Sequence, residues 1–119
     1  MNLISRDELR EKLDRGDDFQ LVMTHSSFAY GAKHIPASRH VATVDEALEA
    51  LDPADEVVVY CADVACPASI YAYTFLERAG FERVRRYAGG VADWESAGYP
   101  LEQGSTSAAG TGRPWRACV

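Results

Sequence analysis

The chain has 119 residues, 47% of them hydrophobic, which is enough for one compact domain with its own core. Its 12 basic and 18 acidic side chains leave a formal net charge of −6, which excludes the basic stripe that nucleic acid requires and sets the overall field against small anions. Three cysteines imply no disulfide framework; with charges arriving by Arg6 and no apolar run of membrane-spanning length, the expected setting is soluble and cytoplasmic, with no membrane partner.

Leu3-Ile4 is short and apolar and fits an edge strand. Ser5-Arg6-Asp7-Glu8 reads as a capping box, with Ser5 capping the helix and Glu8 reaching back. Leu9 and Leu13 share one helical face, and Gly16 supplies the stop. Residues 19–24 read as a strand with Leu21, Val22 and Met23 as its buried run, and residues 26–33 as a loop or short turn. Pro36 keeps Ile35 extended or in a turn. A short strand over residues 39–42 leads to a helix through Ala47, Leu48 and Leu51, capped by Thr43 or Asp45. Asp52-Pro53-Ala54-Asp55 ends that helix, and residues 56–60 form the next strand.

Pro67 then fits a first helical turn, where its missing N–H costs nothing. Ile70, Tyr73 and Leu76 mark the buried face of this helix, and Gly80 stops it. Residues 84–87 are a strand, Ala88-Gly89-Gly90 a turn that needs positive φ, and residues 91–97 a short helix with Trp94 inward. Strands alternating with helices predict an α/β domain: a mostly parallel sheet of about five strands with helices on both faces. The domain spans residues 1–102, and residues 103–119, rich in Gly, Ser, Thr and Ala, read as a flexible tail ending near an exposed Cys118.

Cys61 is the residue with chemistry to offer. It follows the apolar run Val57-Val58-Val59-Tyr60 and precedes Ala62-Asp63-Val64-Ala65-Cys66-Pro67. A buried strand, a loop of small residues and a helix N-terminus therefore meet at a thiol. In parallel sheets, sites form beyond the carboxyl ends of the strands. The unpaired N–H groups of a helix start can hold a sulfur anion, which lowers a thiol's pKa and makes it a nucleophile. The competing reading is an inert thiol packed in an apolar core.

Several segments together resemble the rhodanese-like family over residues 3–102. Val57-Val58-Val59-Tyr60-Cys61 resembles the strand leading to that family's catalytic cysteine, and His34-Ile35-Pro36-Ala37-Ser38 resembles its His-Ile-Pro segment. Gly89-Gly90-Val91-Ala92-Asp93-Trp94, followed by Gly98-Tyr99-Pro100, is similar to its closing pattern. The resemblance implies Cys61 as the catalytic residue and Ala62, Asp63, Val64, Ala65 and Cys66 as the loop that cradles the sulfur. Its six-residue length from Cys61 to Cys66 is the one the family associates with sulfur transfer rather than oxyanion chemistry. His25 stands near the end of the second strand, where the family carries an arginine, and is a candidate to contact substrate or move a proton. The glycine and basic residue usual in the loop are missing, and Asp63 opposes both ionisation of the thiol and the approach of thiosulfate, a dianion.

The leading reading is a sulfurtransferase that takes sulfane sulfur from a small-molecule or protein persulfide, or from thiosulfate, and passes it to a thiol acceptor through a Cys61 persulfide. It needs no cofactor, and scattered His25, His34 and His40 with the loop cysteines make no zinc set. His34 is expected to tie its turn to neighbouring backbone. One alternative is a non-catalytic binding or regulatory module. Another is a thiol redox sensor in which Cys66 resolves Cys61. Phosphatase-type chemistry ranks last, since its loop ends in an arginine that clamps an oxyanion, and Cys66 stands there instead.

Overall fold

Ser5 accepts the Glu8 N–H at 3.1 Å and opens α1 (Arg6–Arg15), which Gly16 closes at φ 73° in the left-handed region. Only half of the expected capping box forms. The Glu8 carboxylate turns away to Arg85 on a distant strand, at 2.5 and 2.9 Å. In the computed structural model, which describes residues 2–24, 27–41, 43–62 and 67–103, this helix is followed by β1 (Gln20–Met23), α2 (Ser27–Ala32), β2 (Arg39–His40), α3 (Val44–Ala50), β3 (Glu56–Tyr60), α4 (Ala68–Arg78), β4 (Arg83–Tyr87) and α5 (Gly90–Ser96).

The four strands form one parallel sheet in the order β2-β1-β3-β4. The expected fifth strand is reduced to a single parallel bridge, Leu3 to Arg86, closed by Ile4 N–H to Arg86 O at 3.0 Å and Arg86 N–H to Asn2 O at 2.8 Å. β3 is central, and Val57, Val58, Val59 and Tyr60 are fully buried, as a strand covered on both faces must be.

Alternation along the strands separates two cores. Val22, Val57, Val59 and Val84 face Ala47 and Leu51 near α3 and Ala72, Tyr73 and Leu76 of α4. Leu21, Met23, Val58, Tyr60 and Tyr87 face Leu9 of α1, Tyr30 of α2 and Val91 and Trp94 of α5. The segment expected as a loop over residues 26–33 contains a helix, α2, whose Tyr30 is fixed from outside: its hydroxyl donates to Ser38 O at 2.8 Å and its ring stacks on His34 at 3.9 Å. On α4 the buried face runs through Ser69, Ala72, Tyr73 and Leu76, and Ile70, expected inside, is exposed. Of the expected tail, only Gln103 falls among the described residues.

Candidate functional site

The carboxyl ends of β1 and β3 are locked together just before the loop. Thr24 donates both its N–H and its hydroxyl to Tyr60 O, at 2.9 and 3.1 Å. One residue on, Cys61 is 1% exposed. Its carbonyl accepts the Val91 N–H at 3.1 Å, and the carbonyl of Ala62 accepts the Ala92 N–H at 2.9 Å. Two of the first N–H groups of α5 are thus spent on the start of the loop.

The double glycine makes this docking fit. Gly90 has φ 65°, a conformation that side chains resist. A Cβ on Gly89 would stand 2.5 Å from Cβ of Asp93. Asp93 is held there by the Tyr87 hydroxyl, which donates at 2.6 Å, and by Arg6 at 3.2 Å. Burial, then the bond to the Asp93 carboxylate, pushes the Tyr87 hydroxyl well above its ordinary pKa, so it stays a donor.

On the far side of the sheet edge, α4 starts at Ala68 with Pro67 as its cap, a residue that makes no side-chain capping bond. The carbonyl of Pro67 already accepts from Ile70 and Tyr71 at 3.0 and 3.1 Å. Ser69, in the first turn, is buried, and its hydroxyl accepts from Nε of Arg86 at 2.8 Å.

A cleft of about 250 Å³ opens beside Ala62, lined by Met23, Ala32, Lys33, Ala62, Val91 and Glu95 among others. Its walls are mostly aliphatic. Its cation, Lys33, is paired with Glu95 at 2.6 Å. That charge on the cleft wall is therefore already neutralised.

Of the expected site residues, Cys61 and Ala62 are brought to the sheet's carboxyl edge, and His25, Asp63, Val64, Ala65 and Cys66 lie outside the described residues. Cys61 is disulfide-bonded, although three cysteines suggested no disulfide framework; the other two, Cys66 and Cys118, both lie outside the described residues. His34 is structural: Nδ1 is 2.8 Å from Tyr30 O, and its N–H and C=O each pair with Glu102 at 2.9 Å. Among the described residues no cluster of His, Cys, Asp and Glu could hold a metal ion, and no helix is long and apolar enough to cross a membrane.

The sequence does not single out Thr24, Ser69 or Asp93 as site residues, and it offers Arg85, Arg86 and Lys33 as sources of positive charge only against the commoner role of solvating a face. For Arg86 a signal existed. In Arg83-Val84-Arg85-Arg86-Tyr87, the two-residue alternation puts Arg86 on the same side as buried Val84.

The family model for the rhodanese-like domain matches residues 5–97. Among solved structures, the rhodanese-like domain of an Anabaena sp. protein is 26% identical, with 93% of this chain and 87% of that one covered and a TM-score of 0.77. Thiosulfate sulfurtransferase from Pseudomonas aeruginosa is 25% identical with a TM-score of 0.76; the match covers 89% of this chain but 21% of that one. A polysulfide-sulfur transferase from Wolinella succinogenes shares the fold at 21% identity, with 89% of this chain and 81% of that one covered and a TM-score of 0.70. No curated protein matches this chain.

Proposed function

The chain belongs to the rhodanese-like family, and from that membership we propose that it is a sulfurtransferase that carries sulfane sulfur on Cys61. The observation that carries this reading is the position of Cys61: it directly follows the central strand, its carbonyl is tied to α5, and an open cleft lies beside its neighbour Ala62. In the first step the Cys61 thiolate attacks the outer sulfur of a donor R–S–SH. A new S–S bond forms on Cys61, the old one breaks, and R–S⁻ leaves with its electron pair. In the second step a thiolate acceptor takes the outer sulfur, and Cys61 returns as thiolate.

The donor is a persulfide of low charge, small or protein-borne, in preference to thiosulfate. A formal charge of −6, an aliphatic cleft and a Lys33 already paired with Glu95 all disfavour a dianion. Asp63, in the loop outside the described residues, adds to this by its charge.

The disulfide on Cys61 favours a second, related reading, a thiol redox switch. A neighbouring thiolate that attacks the inner sulfur of the Cys61 persulfide releases HS⁻ and leaves a disulfide, with no external oxidant needed. Cys66 is our candidate for that thiol. In either reading the disulfide is reduced before Cys61 can accept sulfur.

Steady-state transfer by the reduced protein tests the proposal. Turnover with cysteamine persulfide, which carries no net negative charge, and a thiol acceptor is expected to exceed turnover with thiosulfate at least tenfold in kcat/KM, and Cys61→Ser is expected to abolish both. Equal turnover by Cys61→Ser overturns the proposal. A Cys66→Ser variant that keeps turnover but no longer forms the disulfide separates the switch from the transfer.

A further inference from the structure

A loop without a basic residue, in a protein of charge −6, needs another source of positive potential if it is to hold a sulfur anion. One arginine lies where it can provide that. Arg86 is 7% exposed and Ser69 is 1% exposed, and the bond between Nε and the Ser69 hydroxyl, 2.8 Å long, joins β4 to the first turn of α4. Arg86 pairs in register with Val59, whose side chain lies in the α4-side core, whereas Tyr60 and Tyr87 lie in the other core. Two residues on from Val59, Cys61 falls in step with the same side of the sheet.

We propose that Arg86 is a positioning residue for Cys61, fixing the first turn of α4 through Ser69 and placing a buried positive charge on the side of the sheet where the sulfur anion forms. This rests on the sulfurtransferase reading above. Among the described residues no carboxylate pairs with Arg86, unlike Arg85, which is spent on Glu8, and Lys12, which is spent on Glu56. Burial pushes its guanidinium below the ordinary arginine value. A sulfur anion on Cys61, held between that charge and the N-terminus of α4, supplies the compensation. The fold keeps Arg86 in place from behind: its backbone N–H and C=O are both taken by the bridge to Asn2 and Ile4.

Among the described residues, few groups lie on the elements packed against Arg86. α4 presents Ser69 and Tyr73, whose hydroxyl accepts the Asn2 N–H at 2.8 Å; β3 presents Val59; and the N-terminal segment presents Leu3. Glu77 adjoins the Tyr73 hydroxyl; Asp63 and Cys66 of the loop lie outside the described residues. The test is therefore run on reduced protein in a Cys66→Ser background, with Asp63→Asn as a further arm.

The readout is the pH dependence of Cys61 alkylation by iodoacetamide, followed by mass spectrometry. Arg86→Gln is expected to raise the midpoint by about one pH unit, and Arg86→Lys to hold it near the wild-type position. A folded Arg86→Gln protein with an unchanged midpoint overturns the proposal, since a merely structural arginine would change stability and leave the profile alone. Should Arg86→Gln fail to fold, Ser69→Ala decides: a rise of roughly a third of a unit or more supports the tether, and no rise overturns it. Alkylation does not require sulfur transfer. A shifted midpoint in a protein that never accepts sulfur would refute the transferase reading and leave the role of Arg86 standing.

Discussion

The N–H of Val91 donates to the carbonyl of Cys61 at 3.1 Å, so the residue that opens the loop after β3 is held by the helix that follows the last strand. That contact depends on the backbone of Gly89 and Gly90, and through Gly89 on the place of Asp93. Gly89→Ala puts a methyl group 2.5 Å from Cβ of Asp93, with no flexible chain end to give way. Overpacking of this kind costs about 1–3 kcal/mol. The expected result is a lower urea midpoint together with a loss of sulfur transfer larger than the loss of fold, because α5 is displaced from the loop it holds.

Asp93 acts mainly through Tyr87. Its bond to Arg6 is half exposed and contributes little, whereas Tyr87 is 2% exposed. Asp93→Ala leaves a buried hydroxyl without its acceptor, at a cost of about 1–3 kcal/mol. Tyr87→Phe removes donor and need together and is expected to cost less. Equilibrium urea unfolding of Asp93→Ala beside Arg6→Ala checks the assignment: Arg6→Ala is expected to cost clearly less, and an equal loss would make the Arg6 pair the dominant one.

Glu95→Gln should release Lys33 at the cleft. The paired carboxylate lies 2.6 Å from Nζ of Lys33, and without it the cleft gains a net positive charge. A rise of a few-fold in kcat/KM for thiosulfate is expected, with little change for an uncharged persulfide. Lys33→Ala in the same background should cancel the gain.

Glu8 provides the acid dependence that can be traced to one contact. Its hydrogen bond to Arg85 holds its carboxyl below the ordinary value, against the opposing effect of burial. A depressed folded-state pKa stabilises above the unfolded value and loses that stabilisation as pH falls through the folded one. The pair is partly exposed, so its contribution is below about 1 kcal/mol. The difference in stability between wild type and Glu8→Gln should therefore be present at neutral pH and vanish as pH falls below 4.5, the ordinary glutamate value.

Much of the framework was written locally. Ser5 and Thr43 cap their helices through side-chain oxygens, Gly16 and Gly80 end helices at positive φ, and the apolar run before Cys61 is the central strand. Trp94 is buried as its spacing required, with Nε1 donating to Pro100 O at 2.8 Å. What could not be read depends on contacts distant in sequence. α2 lacks a repeating apolar face and contains Gly31; Tyr30, held from Ser38 and His34, secures it. The Glu8 side chain looked committed to its own helix start until Arg85, 77 positions away, competed for it. Leu48 and Ile70 are apolar but exposed, because Ala47 and the Ser69–Ala72–Tyr73 side of each helix face the sheet instead. Arg86 is hard to place for the opposite reason: charged side chains usually solvate a face, and that expectation outweighs its alternation with Val84, yet it is buried.

The most direct measurement is to trap and map the sulfur itself. Reduced protein is mixed with glutathione persulfide, blocked, digested and examined by mass spectrometry. The account predicts one added sulfur on Cys61, removed by a thiol acceptor and missing from Cys61→Ser. A Cys61 that is open to alkylation yet takes up no sulfur from persulfide or thiosulfate would contradict it.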